Sequence, residues 1–205
     1  MEFIFIIAIL LMSIVIHEVS HGYAALWLGD PTAKLQGRLT LNPLKHLDMV
    51  GSIIVPFLAF FLAGFVIGWA KPVPYNPYNF QKMHKYGDAI VAAAGPAVNI
   101  FLALIFSILI RISDPSIFTA SFMDISAFVV IINIILAFFN LIPIPPLDGS
   151  KILFTLLPRR FINVRIILER YSLIFVILFI FFLWDKFIPL VFNIFTLFTG
   201  ISSPF

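Results

Sequence analysis

The stretch FIFIIAILLMSIVIHEVSHGYAALWL, residues 3–28, decides how the rest of the chain is read. It is apolar for longer than the roughly 20 residues that cross a bilayer core, and only His17, Glu18 and His21 interrupt it. An ionisable side chain at that depth costs about 2.5–3.5 kcal/mol on insertion scales, so a cluster of them marks a functional site by default. On a helix, positions i and i+4 share a face one turn apart, so the His17 and His21 imidazoles can meet at one metal ion. Glu18 lies between them in sequence, where a general base for metal-assisted hydrolysis is expected. The competing reading is two histidines hydrogen-bonded inside a helix bundle. The cost of placing three ionisable groups so deep counts against it.

Composition sets the solvent. Of 205 residues, 61% are hydrophobic and only 11% charged, and phenylalanine alone occurs 25 times. A soluble domain carries about 25% charged residues, so this chain lacks the polar surface that water demands. The expected fold class is therefore an all-α membrane protein, a polytopic helical bundle. Cysteine is absent, which removes disulfides, thiolate nucleophiles and thiolate metal sites together. Any metal must be held by the four histidines or ten acidic residues. The net charge of +3 is small, and its lysines and arginines sit in loops without interleaved aromatics, so nucleic acid is not an expected partner. The Met1-Glu2 start has neither the basic opening nor the small-residue cleavage site of a secretory signal, and the first segment is expected to be retained.

Four further apolar stretches follow. Met49 to Ala70 is uncharged but holds Pro56, Gly64 and Gly68, and Ala89 to Ile110 is uncharged throughout. Ile125 to Leu147 ends in Pro143, Pro145 and Pro146, while the stretch from Tyr171 is broken by Asp185, Lys186 and Pro189. That last stretch is expected to form one helix with a short hairpin partner. The loop from Lys151 to Arg170 is rich in arginine and should be cytoplasmic, which puts Arg111 to Asp124 outside and Lys71 to Asp88 inside. If Met49–Ala70 spans, the loop carrying Lys34, Arg38 and Lys45 falls outside. If it is re-entrant or a hairpin, every basic loop stays inside. Residues 34–41, KLQGRLTL, alternate with period two between turn residues and suggest a small membrane-associated β-hairpin, a candidate edge for an opened substrate segment. The proline-rich WAKPVPYNPY at 69–78 cannot be regular helix. Residues 1–205 are expected to form one integral-membrane domain.

A catalytic zinc takes three protein ligands and leaves a position open, so His17 and His21 need a third donor. Asp148 is the best candidate, because the prolines before it must unwind the helix and expose its carboxylate. On position alone, an N-cap for the helix starting at Ser150 is an equal reading, and the unfilled metal site tips the choice towards a ligand. His46 and Asp48 form a second polar pair, better read as a structural hydrogen bond than as ligands.

HEVSH at 17–21, GPAVN at 95–99 and NLIPIPPLDG at 140–149 together resemble the site-2 protease family, the peptidase M50-like intramembrane zinc metalloproteases. The loop GDPTAKLQGRLTLNPLKHLD and the segment KPVPYNPYNF are similar to the small prokaryotic branch without a PDZ domain. The resemblance implies a three-helix catalytic core, at about 3–28, 89–111 and 125–155, with 49–70 and 171–205 as extra segments. It implies Asp148 as third zinc ligand and Asn140 as a holder of substrate strand or oxyanion, the alternative for Asn140 being a helix-breaking cap. Gly95 and Asn99 are read first as close helix packing. The expected activity is hydrolysis of peptide bonds in or near transmembrane segments, with His17, His21 and Asp148 on Zn²⁺ and Glu18 as proton carrier. Expected partners are transmembrane protein substrates and the lipid bilayer, with the site nearer the cytoplasmic face of a multi-pass cell-membrane protein. A membrane metal-ion transporter or channel is the alternative from another class.

Overall fold

The computed structural model describes residues 2–48, 51, 54, 57, 61, 70–113 and 119–201, with only the backbone of Glu2, Phe3 and Arg159. Helix α1 (Glu2–Leu28) is followed by the single turn α2 (Thr32–Leu35), then α3 (Gly87–Ile112) and α4 (Ala120–Asn140). The chain continues through α5 (Asp148–Leu156), α6 (Ile162–Arg170), α7 (Ser172–Phe182) and α8 (Trp184–Thr199). Among the described residues, α1, α3 and α4 are long and apolar enough to cross a membrane, with α7 and α8 a fourth span if the bent pair is counted as one. The expected re-entrant segment at Met49–Ala70 lies almost entirely outside the described residues.

Helix α3 sits between α1 and α4 and packs on both. Lipid tails are as apolar as leucine, so such helices associate through close packing and interhelical hydrogen bonds. Helix α3 supplies the small side chains this needs, burying Ala92, Gly95, Ala103 and Ser107. Its other flank joins Val130, Ile131 and Ile134 of α4 in a core closed by Phe187, Val191 and Phe195 of α8. Those three residues recur every four positions and so share one face. Arg111, in the last turn of α3, donates from Nε to Phe198 O and from Nη2 to Leu197 O, both at 2.6 Å. It thereby satisfies carbonyls that the end of α8 leaves without partners.

The apolar stretch from Tyr171 does split in two, but the break falls earlier than its charges and proline suggest. Helices α7 and α8 meet at Leu183 with a bend of 70°, and Pro189 lies inside α8. Burial of Phe187 in the α3–α4 core fixes where α8 begins.

The β-hairpin expected at Lys34–Leu41 does not form, and there is no strand among the described residues. Its backbone groups are spent locally: Leu35 N donates to Pro31 O, Gln36 N to Thr32 O and Arg38 N to Ala33 O. Gly37 turns the chain at φ 63, a conformation only glycine adopts readily, and the alternation seen in sequence is cut there. Arg38 is buried instead of facing out, donating Nη2 to Lys71 O at 2.9 Å and Pro72 O at 3.4 Å. The edge strand for substrate addition lapses with the hairpin.

Residues 70–86 run as an irregular strap across one end of the bundle. Lys71 N donates to His46 O at 2.9 Å, and Gln81 N to Leu28 O at 2.8 Å. Between them, wholly buried Asp30 accepts from Thr32 N, Thr32 Oγ1, Asn76 N and Asn79 Nδ2 at 2.5–3.1 Å. Burial raises the Asp30 titration, but these donors outweigh it and hold the carboxyl below its ordinary range.

Candidate metal centre

His17 and His21 lie on the buried face of α1, with ring centroids 4.7 Å apart and planes nearly perpendicular. The Asp148 carboxylate reaches them from the far end of the sequence, with Oδ2 3.1 Å from His17 Nε2 and 3.2 Å from His21 Nε2. What brings it there is the turn after Asn140. Helix α4 stops at that residue, the chain folds through Leu141–Leu147, and α5 starts at Asp148 itself. A Cβ on Gly149 would meet the Ile142 carbonyl oxygen at 2.6 Å, so only glycine lets this turn close on the end of α4. Leu147 holds the N-cap position and Asp148 is already in the first turn, so the reading of Asp148 as N-cap of a helix starting at Ser150 does not describe it.

The donor set suits a metal ion. One ligand atom from each of His17, His21 and Asp148 lies within 4.8 Å of the others, and all three residues are buried. Tetrahedral ligands at zinc–nitrogen distances sit about 3.4 Å apart, close to the two spacings measured here. The remaining imidazole nitrogens are held: His17 Nδ1 bonds Asn99 Oδ1, and His21 Nδ1 donates to Val91 O at 2.7 Å. Both Nε2 atoms then face the carboxylate, the arrangement in which outer partners orient metal-binding histidines. Gly95 completes the close fit, because a Cβ there would lie 2.5 Å from His17 Nε2 and 2.6 Å from His21 Cε1.

Around these groups is a cavity of about 130 Å³ that Glu18, Tyr75, Asn140 and Lys151 also line. Glu18 Oε2 accepts from Val73 N at 3.0 Å, which ties the carboxylate to the strap. Asn140 donates from Nδ2 to Leu136 O at 3.0 Å, leaving its second N–H and its carbonyl for other partners. Burial, followed by the Asp88 carboxylate, pushes the Tyr75 phenol well above its usual range, so it stays protonated. Lys151 Nζ lies 4.0 Å from Asp148 Oδ1 and 5.4 Å from the Tyr75 ring centroid.

The sequence pattern of Peptidase family M50 matches residues 109–183. YwhC of Bacillus subtilis, named as a zinc metalloprotease, is 39% identical over 160 residues, which cover 75% of this chain and 69% of YwhC. The chain belongs to peptidase family M50, the site-2 protease family. Rip2 of Mycolicibacterium smegmatis is 36% identical over 148 residues, covering 72% of this chain and 55% of Rip2. MJ0611 of Methanocaldococcus jannaschii is 44% identical over 63 residues, 31% of either chain. Both are also named as zinc metalloproteases. No solved structure matches. With its long apolar helices, this M50 chain is a multi-pass membrane protein.

Sequence reading placed His17, Glu18, His21, Asn140 and Asp148 at one site, and all five line the same cavity. Asn99, read first as close helix packing, also bonds His17 Nδ1. The strap's contribution was missed, because a backbone N–H such as that of Val73 leaves no mark in a sequence. Asn133 did leave one: it is a lone amide in the apolar run VVIINIILAF. His46 is structural, donating Nε2 to Thr40 O at 2.9 Å, and Asp48 Oδ1 accepts from Gly51 N at 2.6 Å.

Proposed function

We propose that this M50 peptidase is an intramembrane zinc endopeptidase that cuts proteins in or near their transmembrane segments. The observation that carries the reading is the convergence of Glu18 with His17, His21 and Asp148 on one small cavity lined by membrane-length helices. The set contains two imidazoles, one carboxylate and no thiolate, a catalytic rather than structural zinc pattern. When bound there, zinc supplies a Lewis acid that polarises a carbonyl and lowers the pKa of water. Glu18 takes the proton of the attacking water and returns it to the leaving amine nitrogen. Its Oε2 is fixed by Val73 N, so the proton is carried on the other oxygen. Asn140 offers an amide N–H to the carbonyl oxygen as it gains charge. Tyr75 and Lys151 line the cavity beside the reacting groups.

The substrate must be unwound to enter, since a hydrogen-bonded helix hides its carbonyls. Residues 1–205 act as one domain, with α1, α3 and α4 as its catalytic core. The arginines at 159, 160, 165 and 170 are what favours a site nearer the cytoplasmic face. Regulated cleavage of membrane proteins is the expected physiological use. Ion transport has no comparable support: the described residues hold one dense metal-binding group rather than a path of weak sites.

Glu18→Gln tests the assignment. The variant should bind zinc as the native chain does while full-length membrane proteins accumulate in its host membranes, read by quantitative proteomics. Cleavage that survives the substitution overturns the proposal.

A further inference from the structure

Three buried polar side chains form a line that leaves α1 at Ser13, crosses α4 and α3, and returns to α1 at His17. Asn133 Nδ2 donates to Ser13 Oγ and to Val129 O, each at 2.9 Å. Asn99 Nδ2 donates to Asn133 Oδ1 at 2.7 Å, and Asn99 Oδ1 faces His17 Nδ1. Both asparagines are wholly buried. The reaction assigned above uses neither of them.

We propose that Asn133 and Asn99 are positioning residues that hold the His17 ring proton on Nδ1, so that Nε2 is the nitrogen turned to Asp148 and the metal. This rests on reading His17 as a ligand. An amide keeps its shape when flipped, so its neighbours decide which end is which. Val129 O can only accept, and it therefore holds the NH₂ end of Asn133 on its own side. Asn133 must then turn Oδ1 to Asn99, which answers with Nδ2 and is left with an oxygen facing His17. A ring nitrogen opposite a pure acceptor carries the proton. Nδ1 therefore keeps its proton, and Nε2, 3.1 Å from Asp148 Oδ2, is the nitrogen whose proton a metal displaces. A flip anywhere along the line sets donor against donor or acceptor against acceptor, which costs about 1–3 kcal/mol for each buried group left unpaired.

Ser13 does not set the direction, because a hydroxyl can donate or accept. The Val129 carbonyl does. His21 is locked by another means: its Nδ1 partner is the backbone oxygen of Val91, which no side-chain substitution removes. The two histidines therefore differ in a way that mutation exposes.

The test uses the full chain in nanodiscs, with zinc affinity read by chelator competition and tautomers read by NMR on ¹⁵N-histidine apoprotein, His17 being assigned through His17→Ala. Asn133→Leu is close in volume and removes the lock. It should lower zinc affinity about 10–100-fold, the usual effect of losing an outer partner, and shift the His17 signals from the Nδ1–H form towards a mixture. Asn133→Asp keeps an acceptor for Asn99 and should retain the native tautomer and most of the affinity. Ser13→Ala should cost less than Asn133→Leu. Ser107→Ala removes a buried hydroxyl that bonds only its own helix at Ala103 O, and should leave both readouts unchanged. Native affinity and tautomer in Asn133→Leu, or equal damage in Asn133→Asp, would overturn the proposal, as would a fall in apoprotein melting temperature with no tautomer shift. His17→Ala, His21→Ala and Asp148→Ala separate the two levels. If they bind zinc normally, the metal centre is wrong. If they lose zinc while Asn133→Leu keeps it, only the relay is wrong.

Discussion

Replacing Gly95 by alanine adds one methyl group at the point where α3 meets the two imidazoles. The new Cβ would lie 2.5 Å from His17 Nε2, 2.6 Å from His17 Cε1 and 2.6 Å from His21 Cε1. Comfortable contact needs about 3.5 Å, so roughly 1 Å must be found by moving the rings or by pushing α3 away. Overpacking of this kind costs about 1–3 kcal/mol, while alanine in a helix interior returns about 1 kcal/mol relative to glycine. The apoprotein should therefore lose at most about 2 kcal/mol and remain folded. The site is less forgiving. A ring displaced by about 1 Å no longer meets a zinc bond length of about 2.0–2.1 Å, and misplacement of that size costs catalysis about a hundredfold. Zinc affinity by chelator competition should fall at least about tenfold, while the apoprotein melts no more than about 4–8 °C lower. Native zinc affinity in Gly95→Ala would show that α3 does not press on the imidazoles as described, and the reasoning would fail.

Asp30→Ala should destabilise the loop and strap by about 3 kcal/mol, because four donors lose a charged, buried acceptor, and limited proteolysis across residues 29–81 would report it. The Asp30 titration is held below its unfolded value of 3.8, so its contribution is fully present above that pH and is lost as the pH falls through the folded value. Asp30→Asn should flatten this part of the acid dependence of melting, and an unchanged acid slope would count against it. Arg38→Ala frees the Lys71 and Pro72 carbonyls next to Val73, loosening the hold on Glu18. A loss of about 1–2 kcal/mol of hydrogen bonding predicts roughly a tenfold drop in cleavage with zinc affinity intact. Removing zinc with a chelator should abolish cleavage without unfolding the bundle, since packing and the asparagine ladder hold α1, α3 and α4 together, and activity should return on adding zinc.

The membrane setting and the chemistry were legible in the chain because both rest on scarcity. Ionisable groups are so few and apolar runs so long that His17, Glu18 and His21 stand out, and a zinc site short of one ligand points to Asp148 after its prolines. The helices followed from the same apolar runs. The hairpin did not, because alternation in Lys34–Leu41 says nothing about whether a partner strand exists. Local turn bonds and the burial of Arg38 decided that segment.

The sequence by itself determined residue types: imidazoles one helical turn apart, a carboxylate beside them, and a proline turn that delivers a second carboxylate. Tertiary structure decided how those groups are held. Asn99 and Asn133 orient His17, Val73 N fixes Glu18, and Gly95 sets how closely α3 approaches. Each of these is a contact across elements far apart in the chain. Periodicity and spacing along one helix report which face a residue occupies, but the partner on the other side of that face is supplied only when the helices pack.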